Sequence, residues 1–315
     1  MNVIKELDYN RVITEEIAPA LESVRTDGYL DSFDGTKLFY HIYKNEKASK
    51  NVVMVHGFTE SSEKYEEMIW YFLESGANVY IYDQRGHGKS DRVVEDKTIT
   101  HVEDFQFYVQ DLEYFVDKIV DKSLPLYLFA HSMGGAVAAF YLEKHQDVFK
   151  KAILNSPMIA PSTGGFPAWV GRFICRFMIL FGGAKKRIFL SQEYPGIEKF
   201  EDSCDTSEVR FSHYEYFKRT HEDYQNYSPS YRWTLESLKV YKKLLKKGTP
   251  EKIKTDMLLM SAAKDTVVSL PAQAAFADRV STCQLVSYPD AKHEIYYSTD
   301  DVMEKFVPQV TEFFS

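Results

Sequence analysis

The stretch Ala130-His131-Ser132-Met133-Gly134-Gly135 constrains this chain more than any other. Before it, residues 124–129 are a short apolar run of strand length, and after it residues 136–142 read as a helix with a small-residue face. The serine therefore stands on a sharp strand-to-helix turn. Such a turn tolerates only small residues two positions before and two after the serine, and here these are Ala130 and Gly134. The geometry lifts the hydroxyl clear of the sheet and sets it at a helix N-terminus, where the Met133 N–H faces an oxyanion. A serine that merely caps a helix before a glycine-rich turn would carry the same six residues, so the rest of the chain has to decide.

Apolar strand-like runs recur at 38–43, 51–55, 78–83, 124–129 and 151–155, and helix-period runs fall between them at 62–74 and 104–121. Alternation of this kind builds an α/β architecture: a mostly parallel sheet flanked by helices, with the active crevice beyond the carboxyl ends of the strands. The run 51–55 ends in His56-Gly57-Phe58, where a glycine lets the backbone turn tightly and leaves the Phe58 N–H facing the space above the sheet. The loop Asp83-Gln84-Arg85-Gly86-His87-Gly88-Lys89-Ser90 is too rich in glycine and charge for helix or strand. Its His87 competes for the role of base, but a loop that pins its own fold accounts for it better.

From about residue 156 to 250 the pattern breaks into three helix-like pieces, 169–181, 208–219 and 231–245. The excursion is too long for a loop and is expected to form a helical cap inserted after the sixth strand, dividing the core into 1–155 and 251–315. Its first piece is apolar over most of its circumference, with Arg172, Arg176 and Lys185-Lys186-Arg187 beside it. Four arrangements suit such a helix: packing into the cap's own core, lining an acyl site through Phe173 and Phe177, meeting another subunit, or dipping into a membrane surface.

The core resumes with a strand at 255–261 ending near Lys264-Asp265, then one at 284–288 followed by Lys292-His293-Glu294, and a closing helix at 300–314. Taken singly, Asp265 is an ordinary turn residue. Taken together, one serine, one aspartate and one histidine, each just past a separate strand and in that chain order, reproduce the order of an α/β-hydrolase triad.

On these residues the chain resembles the α/β-hydrolases of the serine-aminopeptidase-like group, and within it bacterial lysophospholipases and monoacylglycerol lipases. The matching stretches are His56-Gly57-Phe58-Thr59-Glu60-Ser61, Asp83 to Ser90, Ala130 to Gly135, Lys264-Asp265, Lys292-His293-Glu294-Ile295 and Ser228-Pro229-Ser230-Tyr231-Arg232-Trp233, covering the chain from about Leu30 onward. The turn departs from the usual pattern in having Ala130 where a glycine is common. The resemblance implies Ser132 as nucleophile, His293 as base, Asp265 as its orienting carboxylate, and the Phe58 and Met133 N–H groups as oxyanion donors, with His131 beside the substrate. Such a mechanism needs neither a metal nor an organic cofactor. The implied substrate is a carboxylic ester of a single-chain lipid. A short-chain esterase, a peptidase, an acyltransferase or a ligand-binding module on the same scaffold stays open, since fold alone does not fix function.

Composition narrows the partners. A formal net charge of −8 over 315 residues disfavours nucleic acid, and Lys239, Lys242, Lys243, Lys246 and Lys247 recur at the spacing of a solvated helix face. Three scattered cysteines, Cys175, Cys204 and Cys283, lack metal-ligand spacing and fit a reduced, cytoplasmic setting, with peripheral contact at the inner membrane surface open through the cap. Residues 1–30 read as neither signal peptide nor membrane span. Oligomeric state is left open.

Overall fold

The computed structural model describes residues 2–315. Eight strands form one sheet: β1 (Arg25–Asp31), β2 (Lys37–Tyr43), β3 (Lys50–Val55), β4 (Ala77–Tyr82), β5 (Leu126–His131), β6 (Lys151–Asn155), β7 (Asp256–Ala262) and β8 (Cys283–Tyr288). Their spatial order is β1-β2-β4-β3-β5-β6-β7-β8. The β1–β2 and β2–β4 pairs are antiparallel, and every pair from β4 to β8 is parallel. This is the α/β-hydrolase architecture expected from the sequence.

Parallel strands are covered by helices on both faces, so their residues are apolar without alternation. In β3, Val53 and Val55 face the core made with helices Gln106–Lys118 and Met133–Lys144. Their neighbours Val52 and Met54 face the opposite core, made with helices Glu66–Glu74 and Asp300–Phe313. After β3 the chain passes to β4 on one side and then returns to β5 on the other. In an open α/β sheet such a reversal is where a ligand site is expected, and here it falls at the carboxyl ends of β3 and β5, which lead into Gly57 and Ser132.

The predicted helix at 62–74 is in fact a 3₁₀ turn, Ser62–Tyr65, running into helix Glu66–Glu74. The N-terminal region holds structure that the sequence reading did not place. Tyr9–Arg11, a π-helical stretch Val12–Ile17 and Ala18–Val24 follow one another, and β1 comes next. The buried residues Tyr9, Ile13, Ile17 and Leu21 recur every four positions. A regular α-helix would rotate such a row away from its partner, and the wider π turns keep it on one face.

Between β6 and β7 lie helices Ala168–Leu180, Glu208–Thr220 and Tyr231–Leu244, close to the predicted pieces. The first packs on the third through Ile174, Cys175, Met178 and Ile179 against Tyr231 and Leu235. A Cβ on Gly171 would approach Leu238 to 3.0 Å, so the two helices lie close at that point. The second helix is fixed to the core through Arg210, which is fully buried. Its guanidinium donates to both Glu67 carboxylate oxygens and to the carbonyls of Ile4 and Ser298. The third is approached by a short parallel pairing of Ile99–Thr100 with Ser228–Pro229.

Candidate active site

Ser132 has φ 50° and ψ −115°, a left-handed backbone that a non-glycine residue adopts only under constraint, at a cost of about 1–3 kcal/mol. The constraint is visible on both sides. Its N–H donates to the Asn155 carbonyl at 3.0 Å, and its own carbonyl accepts from the Met158 N–H at 2.8 Å. The next helix starts so close to β3 that a Cβ on Gly134 would collide with the Val55 and His56 carbonyl oxygens, and one on Gly135 would lie 2.6 Å from Pro157. Both glycines are therefore required for the turn. Ala130 is fully buried in β5, so its methyl fits beneath the serine.

The three residues spread over 161 positions meet here. His293 Nε2 lies 2.8 Å from Ser132 Oγ, and His293 Nδ1 lies 2.6 Å from Asp265 Oδ2. The other Asp265 oxygen accepts from the Val267 and Val268 N–H groups at 2.8 and 3.1 Å. Burial alone would raise the Asp265 carboxyl, but the hydrogen bond and charge of His293 with the two backbone donors outweigh it and hold it below its ordinary value. A carboxylate kept ionised by its own loop can fix the imidazole tautomer and balance an imidazolium.

The turn after β3 is held at both ends of one residue. The Gly57 carbonyl accepts from His56 Nδ1 at 2.8 Å, and His56 Nε2 accepts from the Gln84 N–H at 2.8 Å. These two contacts assign the His56 tautomer, and burial lowers its pKa so that it stays neutral. The Gly57 N–H donates to Glu60. Phe58 follows, half-buried, with the indole of Trp233 from the inserted region 4.1 Å from its ring centroid.

The loop from Asp83 to Ser90 builds the wall behind this turn. Asp83 accepts from the Ser62 N–H and hydroxyl and from the Lys89 N–H. His87 is fully buried, bonded to the Arg85 carbonyl and edge-on to His56, and burial pushes its pKa well down. It lies in the scaffold and does not compete with His293.

His131 is not on an open surface. It is 1% exposed, directly precedes Ser132, and contacts the His293 and Tyr296 rings with centroid separations of 4.8 and 5.1 Å. Its Nδ1 meets Asn155, and burial pushes its pKa down to about 4. Phe173 and Phe177 also differ from expectation. They are 65% and 53% exposed, because Ile174, Cys175, Met178 and Ile179 take the inward face of their helix and leave the aromatic rings outside.

Beneath the site is a buried charged group that the sequence reading assigned no role. Glu60 accepts from Gly57, Tyr65 and Tyr296, with the Lys64 ammonium 3.4 Å away and His131 Nε2 at 3.7 Å. Burial opposes its ionisation, but His131, Lys64 and the tyrosine hydroxyls outweigh burial and hold it below the carboxylate range. Lys64 also pairs with Glu294. Glu60, His131 and Glu294 bring ligand-type atoms within 4.8 Å of one another. The Lys64 ammonium and the hydroxyl donors already satisfy these carboxylates, so protein groups fill the place a cation would take. The available signal was Glu60 itself: a charged residue two positions after the Phe58 turn, followed at position 65 by a tyrosine.

Among known proteins, residues 46–300 match the family described as serine aminopeptidase, S33. The chain is 26% identical over 327 residues to a Haemophilus influenzae protein described as "Probable lysophospholipase L2", covering 99% of this chain and 98% of that one. It is 32% identical over 136 residues to human monoglyceride lipase, covering 42% of this chain and 43% of the relative. A soluble variant of Saccharomyces cerevisiae monoglyceride lipase, solved with a substrate analogue, superposes with a TM-score of 0.72 at 22% identity, over 92% of this chain and 95% of that one. With the family model matching most of its length, this chain belongs to the serine aminopeptidase S33 family of α/β-hydrolases and is a serine hydrolase.

Proposed function

We propose that this protein hydrolyses carboxylic esters of single-chain lipids, of the lysophospholipid or monoacylglycerol kind, by a Ser132–His293–Asp265 acyl-enzyme mechanism. The observation that carries the reading is the unbroken hydrogen-bonded line from Ser132 Oγ through both His293 nitrogens to an Asp265 carboxylate held by backbone donors. Ser132 attacks the ester carbonyl while His293 takes its proton, and Asp265 steadies the imidazolium. The Phe58 and Met133 N–H groups face the developing oxyanion, where losing one donor costs about a hundredfold or more in rate. His293 then protonates the leaving alcohol. Water enters by the same route in reverse roles, and the fatty acid leaves.

The lipid part of the reading is supported by the named activities of the relatives and by the outer face of helix Ala168–Leu180. Trp169, Phe173, Phe177, Leu180 and Phe181 stand exposed there, with Arg176, Lys185 and Lys186 also exposed beside them. No described helix is long and apolar enough to cross a membrane. An exposed aromatic stripe with a basic flank instead suits a helix lying on an anionic bilayer surface. The region 156–250 acts on this reading as a cap that meets the lipid while the core performs the chemistry.

The test is labelling with a fluorophosphonate, read as a single mass adduct in wild type and in Ser132→Ala. An adduct confined to wild type is expected. A folded wild-type protein that takes no label would overturn the catalytic assignment. A chain-length series of p-nitrophenyl esters then decides the substrate class: activity rising with acyl length supports the lipid reading, and activity confined to acetyl and butyryl esters or to a peptide anilide replaces it.

A further inference from the structure

We propose that Glu60 is a positioning residue for this reaction, fixing the peptide that presents the Phe58 N–H and tying it to the segment that follows His293; this rests on the catalytic assignment above. Gly57 threads a narrow gap. A Cβ there would lie 2.7 Å from Glu60 Oε2, 3.0 Å from the His131 ring and 3.1 Å from Ser132 Cβ. The Gly57 backbone is thus wedged between the Glu60 carboxylate and the nucleophile. Two bonds set its orientation: Glu60 takes the N–H, and His56 donates to the carbonyl. The Gly57 carbonyl and the Phe58 N–H share one planar peptide. Turning that peptide swings the Phe58 N–H away from the oxyanion, and the Glu60 bond is what opposes rotation from the Gly57 N–H side.

The same carboxylate reaches the His293 side of the site. Its second oxygen accepts from Tyr296, which lies in the turn Ile295–Tyr297 directly after His293-Glu294 and stacks on Tyr65 with centroids 5.0 Å apart. Tyr65 itself donates to Glu60 at 2.7 Å. One buried side chain therefore joins the β3 turn, the helix that follows it and the segment after the base. An acceptor-only group suits this seat, because the Gly57 N–H and the Lys64 ammonium can only donate and the Tyr65 and Tyr296 hydroxyls donate here as well. An amide would put two N–H groups among them. The bonds to a carboxylate are also charge-assisted, which makes the seat stiffer than a neutral one.

Glu60→Gln keeps the side-chain volume and removes one acceptor. The expected result is a kcat lower by about ten-fold or more, with KM within about twofold, since the Phe58 donor matters most where charge develops. Affinity for an alkyl boronic acid, whose tetrahedral adduct places an oxygen at the oxyanion position, is expected to fall by the same factor as kcat/KM. Loss of packing alone would not link the two. A folded Glu60→Gln enzyme with wild-type kcat and boronate affinity would overturn the proposal, as would a KM that rises as much as kcat falls. If Glu60→Gln does not fold, the double variant Tyr65→Phe/Tyr296→Phe decides in the same way, because it strips two donors from Glu60 and leaves the rings in place. Ser132-dependent labelling with unaltered Glu60→Gln kinetics would remove Glu60 alone, whereas labelling that ignores Ser132→Ala would remove the catalytic assignment beneath it.

Discussion

Helices Glu208–Thr220 and Ala168–Leu180 belong to the same insertion, yet the first carries a guanidinium into the interior and the second leaves its largest rings in solvent. Arg210 is satisfied on every side, by Glu67, by the Ile4 and Ser298 carbonyls and by the Tyr9 ring 4.9 Å from its carbon. Tyr214 of the same helix meets Ser61 at 3.1 Å, just beyond Glu60. This half of the insertion is thereby registered to the scaffold around His293. Helix Ala168–Leu180, by contrast, is held by one apolar face on its sister helix, and its other face has nothing among the described residues to cover it. A fold that uses charge to anchor one helix and leaves apolar surface uncovered on another gives one insertion two different surfaces: one locked to the edge that carries Ser132 and His293, and one for which a lipid surface is the partner proposed above.

That separation is broken most severely at Arg210. Arg210→Met deletes the guanidinium and leaves the Glu67 carboxylate buried with Tyr71 as its remaining donor partner. Removing one member of a buried pair costs about 3–5 kcal/mol, so urea unfolding is expected to show a loss of stability of that size. Replacing both members, Arg210→Met with Glu67→Leu, is expected to recover part of it, because the stranded charge goes too. A single variant as stable as wild type would mean that the helix is held by its apolar contacts alone.

The other helix is expected to respond the opposite way. Phe173→Ser with Phe177→Ser changes two exposed residues, so stability is expected to stay within about 0.5 kcal/mol of wild type for each site. Sedimentation with vesicles containing anionic phospholipid is expected to fall by about tenfold or more, since each ring buries apolar area in the interface. Equal binding by both proteins would leave the stripe without a lipid partner, and the comparison between the two helices would then rest on packing alone.

The sequence marked the edge that brings Ser132, Asp265 and His293 together better than the surfaces around it, for a physical reason. A serine turn needs particular small residues at fixed offsets, so Ala130, Gly134 and Gly135 mark it directly, and the loops bearing Asp265 and His293 follow apolar runs of strand length. The helical insertion was legible as broken periodicity, and its three helices fall within a residue or two of their expected bounds. The orientation of Phe173 and Phe177 was not legible, because a helix apolar over most of its circumference does not say which face turns inward. The Glu60 group was hidden for another reason: its partners Gly57, Lys64, Tyr65 and Tyr296 come from segments more than two hundred residues apart, and buried charge leaves no periodic trace. The N-terminal helix escaped because its four-residue repeat fits neither the helical nor the strand period.

The smallest expected effect lies at the entrance to the anchored half, at Asp205, three residues before helix Glu208–Thr220. Asp205 is buried, and one carboxyl oxygen has no hydrogen-bond partner among the described residues. Burial, followed by the neighbouring Glu294 charge, pushes its pKa well above the ordinary 3.8, and Lys64 opposes this only in part. Glu294 is displaced the other way, below its ordinary value, because the Lys64 charge and a hydrogen bond from Asp205 outweigh its burial. The two shifts run in opposite directions, with burial favouring the neutral form at Asp205 and the Lys64 charge favouring the ionised form at Glu294. A carboxyl whose folded pKa is raised stabilises the fold fully below the unfolded value of 3.8, and that stability is lost as pH rises through the folded value. The substitution Asp205→Asn keeps a neutral side chain of the same size beside Glu294 and leaves no proton to lose. The variant is accordingly expected to be more stable than wild type at pH 8 by about 1 kcal/mol, a rise on the order of 2 °C in Tm, with the gap narrowing as pH falls toward 4. A variant less stable than wild type at pH 8 would instead identify Asp205 as an ionised partner of Lys64. Because helix Ala168–Leu180 contributes no buried carboxyl to this group, vesicle binding through its aromatic face is expected to be the same for Asp205→Asn and wild type. A shift in vesicle binding with Asp205→Asn would show that the two halves of the insertion are coupled after all.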